Sequence, residues 1–256
     1  MNNYDIWKSN KRYGDNFFDR STGKTEEMES SKAVCKIIKP FYRKGMSVLD
    51  VGCGAGHYLR SLRKRIDPLV DYVGVDTTHY YVEKAKEAFP DTLFFVDDIH
   101  NLKFKDGVFD IVMCNNVICH IPSPPKRAIS ELLRVASDYV IMRIPCSERN
   151  YIIKEVQDKG DKMEINFPKK PSKLIRDNGE PISWSYLNLY TVDYIKSIIR
   201  DNDINVEIDV VDDTYWNHLN SKFDSPTGTT VIDGKQVSGN IILDWKFFIV
   251  KKNGRR

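Results

Sequence analysis

The chain has 256 residues, 41% hydrophobic and 29% charged, an ordinary globular composition long enough for one large α/β domain with a modest insertion. Its net charge is only +3 and its basic runs are short (Arg63-Lys64-Arg65, Lys169-Lys170 and the tail Lys251 to Arg256), too small and dispersed for a nucleic-acid face. No stretch approaches the ~20 apolar residues of a membrane span, and the N-terminus MNNYDIWKSNKRYGD lacks an apolar signal core. The cysteines Cys35, Cys53, Cys114, Cys119 and Cys146 include no Cys-x-x-Cys pair. They read as reduced thiols in a cytoplasmic compartment, with no disulfide and no metal site.

Residues 1–25 are polar and aromatic without a clear period. Residues 26–39 place Met28, Val34, Cys35 and Ile38 on one face of a predicted helix that ends at Pro40. Strand and helix patterns then alternate. Strands are predicted at Ser47–Val51, Tyr72–Val75, Leu93–Val96, Asp110–Cys114 and Tyr139–Ile144. The helices between them are predicted at His57–Arg65, residues 79–88 and Pro125–Ser137. Apolar strands without polar alternation, separated by helices, predict a parallel sheet covered on both faces. Residues 146–188 break the rhythm with Pro168, Pro171 and Pro181, several lysines and the run Trp184-Ser185-Tyr186. Thr191 then caps a predicted helix over 192–201, and strands follow at Val206–Val211 and Ile241–Val250.

The most informative stretch is Val48-Leu49-Asp50-Val51-Gly52-Cys53-Gly54-Ala55-Gly56-His57. A buried strand runs into three alternating glycines and a helix, at the strand end where doubly wound sheets bind ligands. A dinucleotide loop requires glycine at the sixth position from Gly52, and His57 stands there. Asp50 would repel a pyrophosphate but suits a ligand with an ammonium group and a sulfonium. An NAD-dependent oxidoreductase is therefore the weakest option. Asp76 ends the next strand, where a carboxylate accepts ribose hydroxyls. Asp97-Asp98 ends the third, where a carboxylate can accept an adenine amine. Three acidic strand ends suit a ligand with amine, ribose and adenine parts.

These motifs resemble the class I S-adenosylmethionine-dependent methyltransferases, in particular the small-molecule, type 11/25-like branch. The match is good over residues 45–145: VLDVGCGAG resembles the first motif, GVD at 74–76 the second, and DDIHNLKFKDGVFDIVMCNNVICHIP at 97–122 the following two. The resemblance implies a Rossmann-like, mostly parallel seven-stranded sheet with helices on both faces and a lid after the fifth strand. It implies an N-terminal helical cap (1–44), a cofactor-binding core (45–145), an acceptor-side insertion (146–190) and a C-terminal part of the sheet (191–256). The cofactor would be S-adenosyl-L-methionine, giving S-adenosyl-L-homocysteine. Asp50 would lie near its amine, with Gly52, Cys53, Gly54 and Gly56 along its backbone. Asp76 would hold the ribose, beside the Thr77 amide. Tyr81 would pack on adenine, Asp98 and Ile99 would bind it, and Asn115 would lie near the methionine portion. The usual Pro-Gly-Gly turn before the fifth strand is replaced by Arg134–Tyr139.

Direct methyl displacement requires orientation more than acid–base chemistry. His120, after the fourth strand, is the candidate general base if the acceptor must lose a proton. The acceptor pocket is expected from Tyr13, Phe17 and Phe18 and from Trp184, Tyr186 and Tyr190, with Arg143 available to an anionic acceptor. The expected partner is a small-molecule acceptor. A nucleic-acid or protein methyltransferase and a non-catalytic S-adenosylmethionine-binding module remain as alternatives. Cys114-Asn115-Asn116-Val117 stands where amino-methylating nucleic-acid enzymes carry Asn/Asp-Pro-Pro-Tyr/Phe.

Overall fold

The computed structural model describes residues 11–156, 175–181, 183–203, 205–213, 230–232, 235–238 and 241–253. Pro168, Lys169, Lys170, Pro171 and His218 lie outside these. Two helices come first, α1 (Lys11–Thr22) and α2 (Glu29–Ile38). Then β1 (Ser47–Val51), α3 (His57–Arg65), β2 (Asp71–Asp76), α4 (His79–Ala88), β3 (Leu93–Val96) and β4 (Phe109–Asn115) alternate. A 3-10 turn (Ile118–His120) and α5 (Lys126–Val135) lead to β5 (Ala136–Cys146). The short strands β6 (Lys154–Val156) and β7 (Trp184–Tyr186) precede α6 (Val192–Asn202), β8 (Val206–Asp212), β9 (Thr230–Ile232), β10 (Lys235–Ser238) and β11 (Ile241–Lys252).

The seven main strands run in the order β3-β2-β1-β4-β5-β11-β8. The first five are parallel, and β11 lies antiparallel to both β5 and β8. β10 and β9 extend the sheet beside the start of β11, two strands beyond the expected seven. The chain order reverses between β1 and β4, which opens the ligand crevice at their carboxyl ends.

Side-chain alternation along the strands builds two cores. Leu49, Val51, Val112 and Cys114 face α5 and α6 through Ile129, Leu132, Leu133, Ile195 and Ile199. Val48, Ile111 and Met113 face α2, α3 and α4 through Val34, Ile38, Leu59, Leu62 and Val82. Each large aliphatic side chain removed from water contributes about 1.5–3 kcal/mol, so these two layers fix the sheet on which the crevice sits. Thr191 caps α6 as expected, its Oγ1 accepting the Tyr194 amide at 3.1 Å.

The missing Pro-Gly-Gly turn has a structural substitute. α5 runs directly into β5, leaving carbonyls at its end that need donors. Lys252 Nζ donates to the carbonyls of Leu133 and Ala136 at 2.9 and 2.8 Å. Arg134 reaches back to the carbonyls of Leu102 and Phe104 at 2.8 and 2.7 Å. A cation from the far end of the chain thus closes the helix that a glycine usually ends.

Two features were not legible in advance. α1 is a helix where no period is apparent, because its fully buried residues are Gly14 and Ser21. β6 and β7 form a separate two-stranded sheet within the insertion.

Candidate functional site

The glycine loop is held by backbone bonds to β2. The amides of Gly52 and Cys53 donate to the Val75 carbonyl at 2.8 and 3.0 Å, and the Gly54 amide donates to Asp76 Oδ2 at 3.0 Å. Gly52 adopts φ +81°, and Val117 Cγ2 occupies the space a Cβ would need. No other residue fits there. The second oxygen of Asp76 accepts the Thr78 amide at 2.8 Å. Burial pushes this carboxyl above its ordinary value, while the bonds from Thr78 and Gly54 oppose the shift.

Asp50 lies beneath the loop and is fully buried. Its Oδ2 accepts the Tyr72 hydroxyl at 2.7 Å, whereas Oδ1 has no partner. Burial pushes its pKa to about 7, the Tyr72 bond opposes this, and the charge of Asp76 adds to it. Asn115, buried at the end of β4, has no partner for either its amide nitrogen or its oxygen. Unpaired buried polar atoms cost roughly 1–3 kcal/mol each. Such a cluster at adjoining strand ends could pair with a ligand, and the α-amino and carboxyl groups of an amino acid would match this donor and acceptor set.

The end of β3 is organised by Asp97 and Asp98. Both oxygens of Asp97 are taken by backbone amides, from Asp98 at 2.9 Å and Lys103 at 2.9 Å. Asp98 stays at the surface, with its side chain 55% exposed and Oδ1 2.8 Å from His100 Nδ1. Asp98 is thus the carboxylate at this strand end that a ligand can reach. Ile99 beside it is buried, and Thr77 at the end of β2 is exposed. Tyr81 is buried under α1 and meets Phe17 edge-on at 5.7 Å.

α1 covers the loop. Phe17 stacks on His57 at 4.9 Å, and Ser21 Oγ donates to the Ala55 carbonyl at 2.7 Å. His57 is held neutral, since burial and Arg20 lower its pKa to about 3. Sequence reasoning places Phe17 at the acceptor; the structure places it over the glycine loop.

In the turn after β4, His120 is half-buried and its Nδ1 lies 2.7 Å from the Tyr186 carbonyl. Burial lowers its pKa, and this bond raises it. Fully buried Asn188 ties the insertion to the turn carrying His120. Its amide donates to the Cys119 carbonyl at 2.8 Å, its Nδ2 to the Ile121 carbonyl at 2.8 Å, and its Oδ1 accepts the Ile153 amide at 3.3 Å.

Three expected acceptor residues are placed differently. Arg143 pairs with Asp213 at 2.6 Å, both side chains 1% exposed, and donates to Asn116 Oδ1 at 2.5 Å. Its guanidinium stacks 3.9 Å from the Trp245 ring centroid. That cation is neutralised within the fold by Asp213. Trp184 and Tyr186 pair across the hairpin with Val156 and Lys154, on the face opposite the Glu155–Ser185 pair. Ser185 is buried, while Lys154 and Val156 are exposed. Trp184 and Tyr186 therefore lie on the other face of the strand pair, half-buried, with the Trp184 indole nitrogen buried and without a partner. Tyr13 remains half-buried on α1, its pKa raised by burial and then by the charge of Glu155. Asn116, Asp213, Glu155 and Asn188 were not singled out by sequence. Only Asn116, at φ +62° where asparagine is favoured, carried a recognisable local signal.

The strand order, the reversed β11, the glycine loop and the acidic strand ends together define the Rossmann-like methyltransferase fold. Residues 49–140 match the methyltransferase-domain family, so this segment is a class I methyltransferase domain of the type 11 branch. The chain is 33% identical over 131 residues to 2-methyl-6-phytyl-1,4-hydroquinone methyltransferase of Synechocystis sp., covering 50% of this chain and 37% of that protein. It spans less than half the length of the first curated relatives it matches. Among solved structures, a SAM-dependent methyltransferase of Methanosarcina mazei superposes with a TM-score of 0.55 at 16% identity, over 84% of this chain and 96% of that one. The magnesium protoporphyrin IX methyltransferase of Synechocystis, with bound SAH, gives 0.52 at 17% identity, over 88% and 82%. Among the described residues there is no group of His, Cys, Asp and Glu suited to a metal ion, and no helix long and apolar enough to cross a membrane.

Proposed function

We propose that this chain is an S-adenosylmethionine-dependent methyltransferase acting on a small-molecule acceptor by direct methyl displacement. The observation that carries the reading is the unpaired polar set of Asp50 Oδ1 and the Asn115 amide, beside the glycine loop and Asp76. The bound cofactor supplies a methyl group already activated on a sulfonium. The chain's own residues bind, orient and exclude water. Asp50 and Asn115 hold the amino-acid end, with Cys53, Gly54 and Gly56 lining the backbone path. Asp76 takes the ribose hydroxyls, since a carboxylate offers about four acceptor positions and two are used by amides. Tyr81, Asp98 and Ile99 surround the adenine, next to the Thr77 amide.

His120 is the base where the acceptor must lose a proton. With its Nδ1–H donating to the Tyr186 carbonyl, the neutral imidazole carries its lone pair on Nε2. The small-molecule reading draws on the hydroquinone and porphyrin methyltransferases among the relatives and neighbours. The five free, buried thiols suit a reducing, cytoplasmic setting.

Calorimetry with S-adenosylhomocysteine and with NAD tests the reading: the first is expected to bind and the second not. Asp76→Ala should weaken S-adenosylhomocysteine roughly ten- to a hundredfold if its carboxylate carries charge-assisted bonds. A protein indifferent to S-adenosylhomocysteine would refute the assignment.

A further inference from the structure

The proposed reaction leaves one carboxylate on the acceptor side without a role. Glu155 sits in β6 directly across from Ser185, whose Oγ donates to Glu155 Oε2 at 3.2 Å. Their pair occupies the inner face of the hairpin, since Ser185 is buried and the flanking Lys154 and Val156 are exposed. That face is fixed beside the crevice by the Asn188 bonds to the turn of Cys119 and His120 and by the His120 bond to the Tyr186 carbonyl.

The groups around Glu155 come from three directions. Tyr13 on α1 and Cys119 on the turn are both near enough for its charge to raise their pKa values, in each case after burial. Ser185 is its hydrogen-bond donor from β7. The cation Arg143, which also acts on Cys119, is held by Asp213 and Asn116. The neighbouring Lys154 turns to the other face, where it pairs with Glu180 at 2.8 Å and lies over the Trp184 ring. Among the described residues Glu155 therefore has one hydroxyl donor and no cation. Burial raises its own pKa accordingly, against the Ser185 bond. A half-buried carboxylate without a counter-ion is unfavourable unless something supplies one, and such groups in clefts concentrate at functional sites.

We infer that Glu155 is the acceptor-recognition carboxylate of this site, holding through an ammonium group an acceptor whose methylated atom is a separate nucleophile, with Ser185 fixing the carboxylate. The inference rests on the reading that the crevice under the glycine loop binds S-adenosylmethionine. It narrows the acceptor from any small molecule to one that carries a positive charge.

The test has two parts. First, calorimetry compares S-adenosylhomocysteine binding by the wild type and Glu155→Gln; equal affinities within about twofold are expected. Second, label transfer from methyl-labelled S-adenosylmethionine is followed over a panel of amines with a second nucleophilic group (amino alcohols, aminophenols, diamines), neutral alcohols and phenols, and carboxylic acids. Amines should be labelled preferentially. In Glu155→Gln the KM for the best amine should rise roughly ten- to a hundredfold, the loss of one charge-assisted contact, with kcat within about threefold. Glu155→Asp should recover part of the affinity. A purely structural role would not separate KM from kcat in this way. Should Glu155→Gln fail to fold, Ser185→Ala, which releases the carboxylate, should raise the same KM severalfold.

Failure of the wild type to bind S-adenosylhomocysteine would overturn the underlying reading together with this inference. Binding of S-adenosylhomocysteine without labelling of any amine would overturn this inference alone, as would an amine KM indifferent to both substitutions.

Discussion

The two sides of the crevice are built on different principles. On the cofactor side, residues close in sequence act through the backbone: glycines in left-handed conformations, amides donating to Val75 and to Asp76, and one buried carboxylate under the loop. On the acceptor side, residues far apart in sequence act through side chains: Arg143 with Asp213, Asn188 with Cys119 and Ile121, His120 with Tyr186. The first kind of construction is local and leaves a signature of spacing. The second depends on buried polar groups finding one another, which makes it costly to disturb and hard to anticipate.

The largest expected effect lies on the acceptor side. Asp213→Ala strands a fully buried guanidinium, a change that costs about 3–5 kcal/mol when one partner of a buried pair is removed. Urea denaturation should show a loss of that size. A loss under 1 kcal/mol would mean that Asn116 and Trp245 alone hold Arg143, and the acceptor side would be less dependent on ion pairing than argued.

Gly52→Ala attacks the cofactor side. It forces a methyl group into Val117 and a side chain into a left-handed backbone, at about 1–3 kcal/mol for the overpacking and about 1–2 for the conformation. S-adenosylhomocysteine binding should be lost while far-UV circular dichroism still reports the sheet and helices. Retained affinity would show that the loop yields and that its geometry is not what defines this side.

The smallest effect is a pH dependence. Asp50 is protonated below about 7 in the ligand-free protein because burial raises its pKa, with a further contribution from Asp76. The charged form is the one that attracts an ammonium group. Affinity for S-adenosylhomocysteine should therefore fall as pH drops below about 7, by up to tenfold per unit, and level off above it. Asp50→Asn should flatten the profile. Tyr72→Phe removes the bond that favours the carboxylate and should move the inflection upward. Isothermal titration between pH 5.5 and 8.5, a range set to bracket that inflection, distinguishes the three.

The contrast explains what was readable in the sequence. Ser47–Val51, Leu93–Val96 and the helix His57–Arg65 are bounded as expected, the two strands because apolar runs ending at glycine or an acid leave few alternatives. The strand-end carboxylates follow from the same pattern. α1 escaped notice because its interior positions are Gly14 and Ser21 rather than aliphatic residues. Gly14 admits the rings of Tyr80 and Tyr81, and Ser21 bonds the Ala55 carbonyl. In the β6–β7 pair, a search for an aromatic pocket selects Trp184 and Tyr186, whereas the pleat sets Ser185 and Glu155 together on the opposite face. Arg143 reads as an available cation until Asp213, seventy residues away, is brought against it. Polar residues that serve as interior are the common cause, since hydrophobic periodicity is blind to them.

The position of α1 also sets a timescale. If the cofactor seats at the glycine loop as proposed, α1, held there by Phe17 and the Ser21–Ala55 bond, must lift for it to exchange with bulk solvent, so its residence time is bounded by that undocking. Spent product would leave at the same pace, and turnover would be governed by how often one short helix comes off its seat.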